Sequence, residues 1–211
     1  MADSITLDEL SRAASANKSV ELIPFKSIYS EASSIAREVE DRKAAAVRWD
    51  YDTFEKQRNN LLKDKAAKQS EIDDIQKFVD DFKSRHKECD VSSFENDKNK
   101  RRDDIKEFDA KIEKMNGELE KAAEDWKRFW NARGGLREKF DDALDEAKKG
   151  ESNSGDYIGS SASDDDKQKA KGYFSTIISK IESEEKEHLT QEEGAKATEA
   201  RFRELIKKTT L

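Results

Sequence analysis

The chain has 211 residues, of which 42% are charged and only 34% hydrophobic, with a formal net charge of −7 and a mean hydropathy of −1.07. An ordinary globular domain is nearer half apolar and a quarter charged, so this chain lacks the apolar mass for a thick core and is either disordered or helical with a narrow seam. One Pro, eight Gly, three Trp, four Tyr and ten Phe argue against disorder, which goes with abundant Pro and Gly and few aromatic rings.

The elements follow in chain order. Residues 1–24 read as a separate preface with freedom to move, carrying one short helix. Thr6 and Glu9 have the spacing of a capping box, in which a hydroxyl and a carboxylate satisfy the first amides of a helix. Pro24 ends this segment, because the residue before a proline is pushed out of helical geometry. From there Phe25, Ile28, Ala32, Ile35 and Val39 recur at spacings of three and four, and no Pro or Gly follows until Gly117. The pattern predicts one uninterrupted helix over about 25–87. Within it Lys56–Ser70 is thinly apolar, with Leu61 and Leu62 its main anchors, and predicts either a loose seam or a face covered by another subunit.

Cys89–Ser93 reads as a turn, and Ser92 with Glu95 as a second capping box opening a helix over about 93–149. Here Ile105, Phe108, Ile112, Met115, Leu119, Ala122, Trp126 and Phe129 alternate by three and four. The register resumes at Leu136, Phe140, Ala143 and Ala147, broken only by Arg133, which is the pattern of a coiled-coil seam. Gly134–Gly135 predicts a weak point or kink. Residues 150–163 form a Gly/Ser loop, and Ser163 with Asp166 caps a last helix over about 164–208, with Ala170, Phe174, Ile177, Ile181, Ala195, Phe202 and Leu205 as its stripe. The expected fold is all-α: a rod (residues 25–211) of three long helices in an antiparallel coiled coil, since short turns make consecutive helices antiparallel neighbours.

Counting outward from the turns places Trp126, Phe129 and Trp130 opposite Trp49, Tyr51 and Phe54, as one structural aromatic cluster, and also near Glu184 and His188. The same count sets charge at the two ends. Lys83, Arg85, Lys87, Lys98, Lys100, Arg101, Arg102, Arg201 and Arg203, with Lys207 and Lys208, should gather as a basic tip near Cys89. Asp141, Asp142, Asp145, Glu146, Asp164, Asp165 and Asp166 should gather as an acidic tip at the Gly/Ser loop. Acids at helix N-termini and bases at C-termini offset helix dipoles, but such tips also suit partners of opposite charge.

Chemistry is sparse. His86 and His188 lie far apart, and His86 with Cys89 supplies two ligands where zinc takes four. Glu184, His188 and Glu192 share one helix face and read as a polar break in the seam rather than a metal or acid–base site. No phosphate-binding loop or EF-hand spacing occurs, and the net negative charge disfavours nucleic acid. The expectation is therefore a non-enzymatic coiled-coil interaction protein, a spacer, adaptor or assembly subunit. No cofactor, metal or small-molecule substrate is expected, and its partners are other proteins, including a second copy of itself. One alternative is a secreted bacterial effector, or a toxin or secretion-apparatus component, without a membrane-inserting segment. A membrane-surface module that resembles BAR domains in helix count and length alone is less favoured. A lone cysteine, the absence of a basic and apolar leader at the N-terminus, and the lack of an apolar run of ~20 residues make the cytoplasm the expected location, with export independent of a signal peptide as the alternative.

Overall fold

The computed structural model describes residues 4–208, and every regular element among them is helical. Helix α1 (Leu7–Ser15) is opened by the Thr6–Glu9 box: the Thr6 hydroxyl accepts from the Glu9 amide (3.1 Å) and Glu9 accepts from the Thr6 amide (2.8 Å). A 3₁₀ turn (Ser19–Leu22) leads through Pro24 into α2 (Lys26–Val47).

The helix expected over 25–87 is two helices. Asp50 interrupts it as the N-cap of α3 (Tyr51–Arg85), accepting from the amides of Asp52 (3.1 Å) and Thr53 (3.4 Å) and from the Thr53 hydroxyl (2.7 Å). A short acidic side chain competes with the helical ladder for those amides, and a cap needs neither Pro nor Gly. After the turn at residues 86–91 comes α4 (Ser92–Ser152). Its cap oxygen comes from Asp90, which accepts from the Ser92 amide (2.8 Å), while Glu95 turns to Lys98 (2.8 Å). Gly134 and Gly135 do not interrupt α4. The helix also runs into the expected Gly/Ser loop, where Gly150 packs against the Phe174 ring so closely that no Cβ would fit. One turn of helix, α5 (Gly155–Ile158), follows before Ser163 caps α6 (Asp164–Lys207) through the Asp166 amide (3.1 Å).

The chain divides into two compact units. The first holds residues up to Arg48 together with Glu124–Ala200. Its core gathers Leu10 of α1, Ala32 and Val39 of α2, Leu136 and Phe140 of α4, and Phe174, Ile177 and Ile181 of α6. The expected preface is built into this core: Ile5, Leu22, Ile23 and Phe25 are buried, and the Ile5 amide donates to the Tyr157 carbonyl (2.9 Å). Lys180 donates to the carbonyls of Ala14 (2.6 Å) and Ala16 (3.1 Å), closing the end of α1. Helix α2 runs antiparallel to α4, as the pairs Glu31–Lys139 and Arg48–Asp125 show. Helix α6 also runs antiparallel to α4, through Lys148–Glu182 and Trp130–Glu199.

The second unit holds Trp49–Ala123 and the chain from Arg201 onward. Helices α3 and α4 form an antiparallel hairpin in strict register, with Lys65 on Asp109 (2.6 Å), Arg101 on Glu71 (2.7 Å), Lys98 on Gln76 (2.6 Å) and the Phe78 ring 5.1 Å from Phe94. The last turns of α6 pack at the start of α3. Phe202 meets Tyr51 (5.3 Å) and Phe54 (6.4 Å), and Arg58 donates to the Ile206 carbonyl (3.3 Å).

Candidate interaction surfaces

In the first unit, α4 and α6 bury a polar layer at the place where Arg133 breaks the apolar stripe. Arg133, His188 and Glu192 are all buried. Arg133 Nη1 donates to His188 Nδ1 (2.8 Å), since a guanidinium has no acceptor, so the histidine proton resides on Nε2, 3.7 Å from Glu184. The imidazole stacks on Phe140 (5.0 Å), and the guanidinium lies over Phe129 (5.6 Å). Burial, reinforced by Arg133, pushes the His188 pKa down to about 4, so the ring is neutral at pH 7. Burial works against charge on Glu192, yet Lys196 (2.6 Å) and Arg137 (3.0 Å) outweigh it and hold this carboxylate below its usual range. Such a layer fixes which turns of two helices meet, because any slip would strand a buried charge. The polar break expected at Glu184, His188 and Glu192 is here. The helix register is not as expected: His188 faces Arg133 and Phe140, while Trp130 lies about three turns further along α6, bonded to Glu199 (2.6 Å) and under Lys196 (4.7 Å). The chain reaches further before turning back, because α4 extends to Ser152 and α5 occupies the expected loop.

The rings of the expected aromatic cluster make these contacts within each unit. Trp126 packs on Phe129 (5.9 Å) in the first unit, and Trp49, Tyr51 and Phe54 gather with Phe202 in the second. Several members of the expected acidic tip have local partners. Asp142 bridges to Lys139, Asp165 to Lys169, and Glu146 to Lys149 and the Tyr157 hydroxyl. Asp164 and Asp166 sit in the first turn of α6, and Asp145 is exposed. Asp141 lines a groove with Arg137, Leu144 and Leu189, and there burial and the neighbouring Asp141 carboxylate push Glu185 up to about 7.

The basic tip does not form as expected. Arg201 lies over the Tyr51 ring (3.9 Å) and near Asp52 (3.7 Å), at the start of α3, about 50 Å of helix from the turn that follows Arg85. Arg203 is on the same closing turns of α6, because α6 has 44 residues to the 61 of α4 and ends far short of the hairpin turn. At the turn itself, Arg85 pairs with Asp81, Arg101 with Glu71, and Arg102 bonds to Asn99. Lys98 is buried in the seam, and Lys83, Lys87 and Lys100 are exposed.

What the end of the hairpin presents instead is aromatic. Phe78 is 51% exposed, stacked on Phe82 (5.9 Å) and packed on Phe94, and Phe82 meets the His86 ring at 4.8 Å. Counting apolar residues alone missed Arg58 and Lys98 as buried seam residues. The usable signal was the spacing of three and four itself, which runs Tyr51, Phe54, Arg58, Leu61, Lys65, Lys68, Ile72, Ile75, Val79 and Phe82 without a break.

Among the described residues, no group of three or more His, Cys, Asp or Glu side chains is placed to hold a metal ion, and no helix is long and apolar enough to cross a membrane. Neither family models nor the curated proteins and solved structures compared with the chain give a match.

Proposed function

We propose that this chain is a non-enzymatic helical interaction protein, an antiparallel helical coiled coil that binds other proteins through the open side of its α3–α4 hairpin. One observation carries this reading. Helix α6 ends at Lys207, its Ile206 carbonyl accepting from Arg58, and from Arg58 α3 runs on for 27 residues, about 40 Å, as one arm of the hairpin with α4. Seam residues that a third helix would seal are therefore left half-buried: Leu61, Ile75, Phe82, Phe94, Ile105 and Phe108. Phe78 keeps half its ring in water, and covering half a Phe side chain stabilises a complex by about 1 kcal/mol. Several such rings along one line make a surface of the kind that helices dock on.

A photo-crosslinking amino acid at position 78, with the same group at exposed Lys171 of α6 as control, tests the reading in cells. Discrete protein adducts are expected from position 78 and not from 171. Equal and diffuse labelling at both positions would remove the hairpin as the binding surface.

A further inference from the structure

Arg58 is fully buried, yet only its Nη2 has a protein partner, the Ile206 carbonyl at 3.3 Å. Its Nε and Nη1 have none, and burial alone, unopposed by any carboxylate, pulls its pKa down. Across the seam Asn116 is in the complementary position: its Oδ1 is buried and also lacks a protein partner. The register of the hairpin sets the two side by side. Lys65 donates to Asp109 (2.6 Å) and Lys98 to Gln76 (2.6 Å). In that same register Arg58 and Asn116 stand one heptad beyond Lys65 and Asp109, toward the base of the hairpin, and so occupy the equivalent positions of the next layer. Three polar atoms that need partners, two of them donors and one an acceptor, therefore share one layer closed off from solvent.

We infer that this layer is an internal water site: one water accepts from the Arg58 guanidinium and donates to Asn116 Oδ1, and so ties both arms of the hairpin to the end of α6. The donor set selects water over an anion. A buried water makes about three hydrogen bonds and serves as donor and acceptor at once, which matches the unpartnered atoms here. An anion has nothing to donate, and it would face two negative oxygens, Asn116 Oδ1 and the Ile206 carbonyl. An unmet buried donor costs more than immobilising a water does. The same layer pins the end of α6. A slip of α6 by one turn carries the Ile206 carbonyl about 5 Å away and leaves a buried guanidinium without its protein acceptor. This role in setting the register of three helices is independent of what the open side of the hairpin binds.

The test uses the full chain in solution. Water-to-protein cross-relaxation in NMR is expected to give a peak between a long-lived water and the Arg58 Nε proton. Asn116→Gln lengthens the amide by one methylene, enough to meet the guanidinium directly and expel the water. Magnetic relaxation dispersion of labelled water should therefore count one internal water fewer in Asn116→Gln, at a melting temperature within about 3 °C of the wild type. An Arg58 proton with no water peak in the wild-type protein overturns the inference without recourse to any variant. An unchanged water count in a folded Asn116→Gln protein overturns it as well. Stability that follows chloride concentration at constant ionic strength in the wild type, and not in Arg58→Met, would make the occupant an anion and overturn it equally.

Discussion

A cation in the seam of a coiled coil is costly unless something takes its protons, and this chain places several there. Arg133 is answered by His188, and Lys98 by Gln76 and Glu95. Arg58 is fully buried, with one bond to the Ile206 carbonyl and with Nε and Nη1 unpartnered. Its charge faces the closing carbonyls of α6, where a helix dipole favours a cation. The Arg133–His188 pair has a testable consequence in pH. An unfolded histidine titrates near 6.5, and the folded ring only at about 4. Between those values the unfolded chain binds the extra proton, so stability is complete above pH 6.5 and falls as the pH drops through that window. By pH 4.5 the loss is about 2 kcal/mol. His188→Gln keeps an acceptor for Arg133 but does not titrate. In urea unfolding at pH 7 and pH 4.5, the wild-type protein should lose more stability than His188→Gln by about that amount; equal losses would show that His188 is not held neutral. A lone basic residue breaking an apolar stripe made the place legible in the sequence. The partner was not legible, because it depends on the register of two helices separated by a turn whose length only the fold reveals.

At the scale of elements, long helices were legible because period and caps agree: the Thr6–Glu9 and Ser163–Asp166 spacings both mark true starts. The break at Asp50 carries neither Pro nor Gly, and its signal is subtler: Asp three residues ahead of Thr53 is itself a cap. Glycines inside α4 show why residue type alone misleads. At Gly135 a Cβ would meet only the Ile35 side chain, at 4.0 Å, an ordinary contact. At Gly150 it would drive into the Phe174 ring. Gly135→Ala should therefore stabilise the protein by about 0.7 kcal/mol, through helix propensity and a less flexible unfolded chain. Gly150→Ala should destabilise it by about 2 kcal/mol, through overpacking. Thermal or urea unfolding of the two variants decides this, and a stabilising Gly150→Ala would contradict the close approach of α4 and α6. The end of α6 teaches the same lesson about length. The expected basic tip assumed three helices ending together, but 44 residues against 61 already implied that Arg201 and Arg203 stop short.

For the molecule as a whole, two units of unequal core share one continuous helix. Around the first unit's stretch of α4, Phe129, Leu136, Phe140, Ala143 and Ala147 are buried among side chains from α1, α2 and α6. Around the second unit's stretch, only Lys98, Ile112 and Leu119 are buried before Ala122 and Ala123, and the opposing helix contributes Arg58, Ile72 and Val79. Helical hydrogen bonds are the same along both stretches, so backbone geometry alone would give uniform protection. Opening free energy follows the side-chain burial that an opened segment loses, and the second stretch has far less to lose. Hydrogen exchange should therefore show two levels within α4. Amides at residues 98–115 should exchange at least about tenfold faster than those at 129–147. Uniform exchange along the whole of α4 would mean that the two units open as one cooperative body, and the boundary near Ala123 would then have no energetic meaning.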